Sequence, residues 1–337
     1  MRRIGFCCKF VKLGPTDSVP THNTRGTTCK SLRGMHLSNM FDKMWELTKH
    51  NLVSAKLLIA ETLKMHESAK MVRLSSDLLP LFTAVEAQPF WTDATVLAYV
   101  EQELFKIGEF ARNNDVRLSF HPGQFCVLAS DREEVIASSI IEFEYHATMA
   151  RMMGYGATWH DHGFKINVHI SGRGGPTKFL ETLQKLSPEA RNLITIENEE
   201  MSYGLSDCLT IGHAVPIVLD IHHHWVREGK YFSPTNNSDV AQIIDSWRGV
   251  RPVMHFSTSR EYIIGHTTPG SLPNHSFLIN SGFNKQKLRA HSDYYWCEPV
   301  NRWALSFLDR FDIQCEAKAK NLASNQLIKF AIDNNFI

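Results

Sequence analysis

Phe164-Lys165-Ile166-Asn167-Val168-His169-Ile170, closed by Ser171-Gly172-Arg173-Gly174-Gly175-Pro176, is the stretch on which the fold turns. Ile166, Val168 and Ile170 alternate with Lys165, Asn167 and His169. A period of two is that of a β-strand with two unlike faces. The same alternation recurs on either side. Val116, Leu118 and Phe120 alternate with Arg117, Ser119 and His121; Ile194 and Ile196 alternate with Thr195 and Glu197. One set of each strand faces helices and the other faces the inside of a barrel. Here the polar set must be the inward one.

Outward from this stretch the chain alternates strand-like and helix-like runs. Strands are expected at Ile4–Lys9, Met71–Leu74, Val116–Phe120, Phe164–Ile170, Leu193–Ile196, Pro216–Leu219, Pro252–Phe256 and Asp312–Cys315. Helices are expected near 39–67, 93–113, 131–153, 177–187, 205–213, 238–247, 298–309 and 319–334. Thr92 or Asp93 offers an N-cap, and Asp131 with Glu134 starts the third helix. Residues 13–35 read as a polar loop, and 257–297 breaks the rhythm. Strands alternating with helices argue for a parallel sheet, either an open doubly wound one or, most simply, a closed (β/α)8 TIM barrel. With 337 residues, one barrel domain over 1–337 is expected.

Composition narrows the class. Hydrophobic residues make up 43%, which excludes a disordered chain, a fibrous repeat and a coiled coil. The 36 basic and 35 acidic residues leave a net charge of +1, so no global field demands nucleic acid. A local groove or bound metals could still supply one. Seven Cys, an odd count without a CxxC pair, point to reduced thiols and a cytoplasmic setting. Lys9 cuts the first apolar run too early for a signal peptide. No apolar stretch approaches the roughly 18 residues needed to span a membrane. The 17 His residues are the unusual feature.

Their positions carry the chemistry. At or beside the strand ends stand His121, His169, Glu197, Asp220, His255 and Glu316. In a barrel those ends converge on one mouth, where active sites form. A lone His at a strand end is more often hydrogen-bonded than ligating; the repetition changes the reading. Buried imidazoles and carboxylates are costly unless paired or bound to cations, so a metal cluster is expected there. Asp220-Ile221-His222-His223-His224 and His291 add imidazoles, whereas His22, His36, His50, His66, His162 and His213 read as surface or capping residues. A His/carboxylate set without Cys suits Zn²⁺ or Mn²⁺, with Fe²⁺ as an alternative. About eight such residues call for two or three ions, with Glu197 able to bridge. Clusters of this kind activate water and hold the attacking and leaving oxygens of a phosphodiester. Ser171–Pro176 lacks P-loop spacing and reads as an ordinary turn. Lys318 and Lys320 follow Glu316, and Arg260 lies beyond His255, all near the expected metals.

The ordered motifs resemble those of the UV damage endonucleases, relatives of endonuclease IV among the xylose-isomerase-like barrels. They are Ile4-Gly5-Phe6, Arg73-Leu74-Ser75-Ser76-Asp77-Leu78, His121-Pro122-Gly123-Gln124-Phe125, Asn167-Val168-His169, Ile196-Glu197-Asn198-Glu199 and Leu219-Asp220-Ile221-His222-His223-His224-Trp225. Met254-His255-Phe256-Ser257, Ala290-His291-Ser292-Asp293-Tyr294 and Glu316-Ala317-Lys318 complete the series. The resemblance implies metal ligands at His121, His169, Glu197, Asp220, His223, His255, His291 and Glu316. It implies a Mn²⁺-favouring, ATP-independent nuclease, with Zn²⁺, Mg²⁺ or Fe²⁺ as alternatives. Such an enzyme cuts double-stranded DNA immediately 5′ of cyclobutane pyrimidine dimers and 6-4 photoproducts. Gln124 and Phe125 match the pair that probes the duplex at the lesion, and Phe6 matches another DNA-facing aromatic. Ser75, Ser76 and Arg260 are further DNA-contact candidates. Glu197, Asp220, Glu316 and Lys318 are the catalytic candidates.

The expected grouping has Glu197 bridging two ions, His121 and His169 on one, Asp220, His255 and Glu316 on the other, and His223 with His291 on a third. A monomer is expected, cytoplasmic and nucleoid-associated in a prokaryote or infected cell, or nuclear in a eukaryote. There are departures from the family. Phe6 and Phe125 stand where Tyr is common, Val253 where Lys is common, and Phe10 where an Asn is expected. The alternatives are an abasic-site endonuclease of the endonuclease IV type, a metal-dependent sugar isomerase, and a non-catalytic metal- or peptide-binding barrel.

Overall fold

The computed structural model describes residues 1–13, 18–235 and 238–337. Its strands are β1 (Ile4–Cys7), β2 (Phe10–Leu13), β3 (Ser18–Thr21), β4 (Met71–Arg73), β5 (Arg117–Phe120), β6 (Lys165–His169), β7 (Ile194–Glu197), β8 (Ile217–Asp220), β9 (Val253–Phe256) and β10 (Asp312–Cys315). All but β2 and β3 form a closed barrel in the order β1-β10-β9-β8-β7-β6-β5-β4. Every neighbouring pair in the ring is parallel. The expected (β/α)8 barrel is therefore present. The registers set the functional ends level, with His169 opposite Glu197 and Asp220 opposite His255.

The alternation of the sequence is the alternation of the barrel. Ile166, Val168, Ile196 and Phe120 join the large apolar layer between strands and helices. Each such buried side chain contributes roughly 1.5–3 kcal/mol. Lys165, Asn167, Thr195, Arg117 and Ser119 are equally buried, but they fill the barrel interior. That interior is hydrogen-bonded in layers. Thr195 Oγ1 donates to Asn167 Oδ1 at 2.8 Å, and Asn167 Nδ2 donates to Glu197 Oε2. At the amino-terminal end Asp312 closes the floor, meeting Arg251 Nε at 2.7 Å, Arg117 Nη1 at 2.9 Å and Arg3 Nη1 at 3.6 Å.

Elsewhere the structure departs from the sequence reading. The expected polar loop contains part of the antiparallel β2–β3 hairpin; residues 14–17 of that loop lie outside the described residues. The long first helix spans Leu37–Thr62 and is followed by a separate short turn at Glu67–Ala69, capped by His66. Asp93 does cap the helix Ala94–Asn113, accepting from Thr95 N and Val96 N. Asp131 does not start the next helix, Glu133–Met152, whose N-cap residue is Arg132 without a capping side chain. Helices not foreseen include Cys29–Leu32, Gln88–Trp91, Pro188–Leu193, and Ile221–Glu228 directly after β8. The irregular stretch after β9 folds as short helical pieces, Glu261–His266, His275–Asn280 and Lys285–Leu288. Ile263, Leu278, Phe283 and Leu288 there pack on Trp225 and Val226 as a small separate core. The insertion is thus anchored to the helix that begins with the His run.

Candidate metal centre

Three overlapping donor groups meet at the barrel mouth: His121–Glu197–His255, His169–Glu197–His223 and Asp220–His255–Glu316. Within each group the donor atoms lie within 4.8 Å of one another. Strand ends supply most of them. His169, Glu197 and Asp220 are the last residues of β6, β7 and β8, and His121 and Glu316 follow β5 and β10. His223 arrives differently. Asp220 caps the helix Ile221–Glu228, its Oδ1 accepting from His223 N at 2.6 Å, and one helical turn carries the imidazole back over the mouth. Asn198 fastens β7 to β8 beside it, donating to Asp220 O and accepting from Asp220 N, both at 2.9 Å.

Glu197 is the hub. Its carboxylate lies 3.0 Å from His255 Nδ1, 3.3 Å from His121 Nε2 and 3.5 Å from His223 Nδ1. Burial works to raise its pKa, but His255, His169 and a hydrogen bond from His121 hold it well below the usual carboxylate range. Glu316 is held low in the same way: burial opposes ionisation, while Arg73 at 2.5 Å and His255 favour it. Asp220 goes the other way. Burial, together with Glu197 and Glu316, raises it well above normal, despite His223.

Two observations fit this set to divalent cations. Asp220 Oδ2 and His169 Nδ1 are buried with no hydrogen-bond partner, in an interior where polar atoms are otherwise expected to be satisfied. The donors are imidazole nitrogen and carboxylate oxygen with no thiolate among them.

The grouping differs in detail from the expected one. His121 joins His255, and His169 joins His223, around Glu197. Lys165 Nζ sits 3.0 Å from His255 Nε2, so Nδ1 is the nitrogen turned to the carboxylates. A single nitrogen serves one ion, so His255 completes either the first group or the third. His291 stands apart from all three groups, with Nδ1 3.2 Å from the Glu316 carbonyl.

A cleft of about 700 Å³ opens over the centre, lined by His169, His223, His291 and Glu316 on one side and by Gln124 and Phe125 at the rim. A family model described as UV-endonuclease UvdE matches residues 2–335. The chain belongs to the UvdE family. Membership makes it an endonuclease. Among its relatives are the UV DNA damage endonucleases of Bacillus mycoides (strain KBAB4) and Bacillus thuringiensis subsp. konkukian (strain 97-27). The first is 26% identical over 332 residues, covering 93% of this chain and 89% of the relative. The second is 26% identical over 300 residues, covering 86% and 83%. The crystal structure of SacUVDE shares the fold, with a TM-score of 0.69, 23% identity and 100% of both chains covered.

The other site residues expected of a UvdE protein fall into two classes. Gln124 and Phe125 are exposed at the cleft rim, with Phe125 84% accessible. Ser76 faces inward instead: its Oγ donates to His121 O at 2.8 Å and so positions a candidate ligand. Ser75 caps a short turn, accepting from Asp77 N, and receives Thr24 Oγ1 at 3.1 Å. Arg260 is directed to Asp293, 3.5 Å away, and does not line the cleft. Lys318 is exposed and likewise outside the cleft lining; its backbone N–H donates to Ser292 O.

Phe6 is a correction. It is fully buried and packs edge-to-face on Phe10, with ring centroids 6.1 Å apart. The two-residue period explains why. Cys7, paired with Arg73 in register, points into the barrel, so Phe6 points to the helices and offers no face to DNA.

Lys165, Asn167, Asn198, Arg73, Glu200 and Arg289 were missed as members of the site. The first two are visible as the inward set of β6. Glu200 and Arg289 carry no spacing that joins them.

Proposed function

We propose that the chain nicks duplex DNA immediately 5′ of cyclobutane pyrimidine dimers and 6-4 photoproducts, leaving 3′-hydroxyl and 5′-phosphate ends without ATP. The observation that carries this reading is the set of three overlapping donor groups, two of them sharing Glu197, at the mouth of a UvdE barrel. His121, His169, Glu197, Asp220, His223, His255 and Glu316 would hold two or three divalent cations, Mn²⁺ favoured, with His291 beside them. Bound there, the cations would supply Lewis acidity and a lowered pKa for water.

The protein's own side chains set the frame. Asn167 and His255 fix the Glu197 carboxylate by hydrogen bonds. Arg73 holds Glu316. Lys165 holds the far nitrogen of His255. Such outer partners orient a ligand set before any ion arrives. At the rim, Gln124 and Phe125 are free to enter a duplex where damaged, poorly stacked bases leave the helix at reduced cost. An exposed aromatic at the rim is placed to meet a long polymer rather than a small polyol held at the centre. That favours a nuclease over a sugar isomerase. Activity as a monomer is part of the reading.

The test is nicking of irradiated and unirradiated plasmid by metal-stripped protein, before and after Mn²⁺ add-back. Relaxed circles should appear only with irradiated DNA and only after add-back. Equal cutting of both plasmids would end the photoproduct reading.

A further inference from the structure

The cleft is acidic for a nuclease. Glu199, Glu200 and Glu316 line it, and Arg289 is the one Lys or Arg among its described lining residues. A DNA strand laid across these carboxylates needs cationic partners beyond the metal centre, since each phosphate carries a full negative charge.

Arg289 is built into place. It ends the helix Lys285–Leu288, and its backbone N–H donates to Lys285 O. The segment around it is pinned twice to the opposite loop. Ser259 Oγ donates to Leu288 O at 2.6 Å, and Ser259 bridges His291. Its side chain is oriented by a buried acid: Arg289 Nη1 donates to Glu200 Oε1 at 2.7 Å. Glu200 is only 5% exposed, and its other oxygen lies 3.5 Å from His223 Nε2. The Arg289 side chain stays 43% exposed. Glu200 therefore engages one edge of a planar five-donor group and leaves the other donors to the cleft.

We infer that Arg289 is a phosphodiester-binding residue. Glu200 holds its guanidinium, and the free N–H groups take a backbone phosphate of the DNA strand beside the metal ligands. This rests on the nuclease reading above. The competing role is purely structural: Arg289 would neutralise Glu200 and through it steady His223. The two roles separate in what they perturb. A phosphate-binding role changes the affinity for DNA and its salt dependence, whereas a structural support changes metal retention.

The experiment compares wild type, Arg289→Met and Arg289→Lys as full-length protein. Metal content after Mn²⁺ loading is measured by mass spectrometry. Affinity for a labelled duplex carrying one thymine dimer is read by anisotropy with Ca²⁺ in place of Mn²⁺, across a salt series. KM and kcat for nicking are then read with Mn²⁺.

Arg289→Met should bind the duplex about 10- to 100-fold more weakly, the loss expected for a hydrogen bond to a charged group. Its salt slope should be shallower by about one, since one phosphate is no longer neutralised. KM should rise more than kcat falls, and metal content should match wild type. Arg289→Lys should restore the slope but not the full affinity, because an ammonium cannot offer two planar edges at once. Unchanged affinity and slope in Arg289→Met would overturn the inference. So would a drop in its metal content that accounts for the lost activity. A wild type that neither binds nor nicks the duplex would remove the nuclease reading, and this inference with it.

Discussion

The barrel buries charge at both ends, and the two ends handle it in opposite ways. At the floor one carboxylate, Asp312, is surrounded by Arg3, Arg117 and Arg251. The atoms left over there are guanidinium nitrogens, Arg117 Nη2 and Arg3 Nε, on groups whose other N–H donors are engaged. At the mouth three carboxylates, Glu197, Asp220 and Glu316, converge with His121, His169, His223 and His255. The atoms left over there are an acceptor oxygen of Asp220 and a nitrogen of His169. Burial alone therefore does not mark a functional charge. The floor has buried donors to spare around one carboxylate; the mouth has buried acceptor atoms to spare among three.

The sharpest way to break this contrast is Glu197→Ala. It removes the donor common to two of the three groups. Both metal content and nicking should collapse, by more than the roughly 10- to 100-fold typical of losing an outer hydrogen bond. Nicking retained at wild-type rate would take the hub away from Glu197.

A paired substitution sharpens the contrast through stability. Asp312→Asn removes the negative charge shared by the floor guanidiniums and should cost about 3–5 kcal/mol, the range for breaking a buried ion pair. Asp220→Asn keeps the helix cap but removes a charge that burial and its neighbours disfavour. The metal-free Asp220→Asn protein should melt no lower than metal-free wild type, while its nicking is lost. Thermal melts of the stripped proteins decide this. Two changes of the same sign and size would erase the distinction between floor and mouth.

The smallest effects are in pH. Burial depresses His146 to about 4 and His160 to about 3. Both are neutral in the folded chain, so their contribution is present above the ordinary value of 6.5 and is lost as pH falls through those figures. His223 is the opposite case. Burial lowers it, but Asp220, Glu197 and Glu200 outweigh that and raise it to about 9. Its contribution is present below 6.5 and is lost as pH rises through about 9. Melts of the metal-free protein across pH should therefore show an acid edge, which these two imidazoles share with the depressed carboxyls of Glu197 and Glu316, and an alkaline edge from His223. His146→Leu should soften only the first, and His223→Gln only the second.

How much of this could be read from the chain follows from the same physics. Alternation in β5, β6 and β7 exposed the barrel and its polar interior, because a strand's period is strict. Strand ends then delivered His121, His169, Glu197, Asp220, His255 and Glu316 without reference to anything else. The helix Ile221–Glu228 was hidden, since Ile-His-His-His-Trp shows no clear apolar period, and its cap, Asp220, also serves as the end of β8. The partnership of Arg289 with Glu200 was invisible because it joins residues 89 positions apart across two loops. Phe6 is misplaced by its motif for a different reason. A motif match carries no parity, and the parity of β1 sends Cys7 inward and Phe6 away. Its neighbour Phe10, which stands where an Asn was expected, supplies the ring against which it packs.

The ring closes where β1 sits between β4 and β10, and at that seam Arg73, at the end of β4, grips Glu316, just past β10. The last stave of the barrel and the last donor of the cage thus leave the ribosome together. A chain still being translated, or one cut short before residue 312, has neither a finished wall nor Glu316. Losing β10 opens the ring and strips a donor from the cage in one stroke.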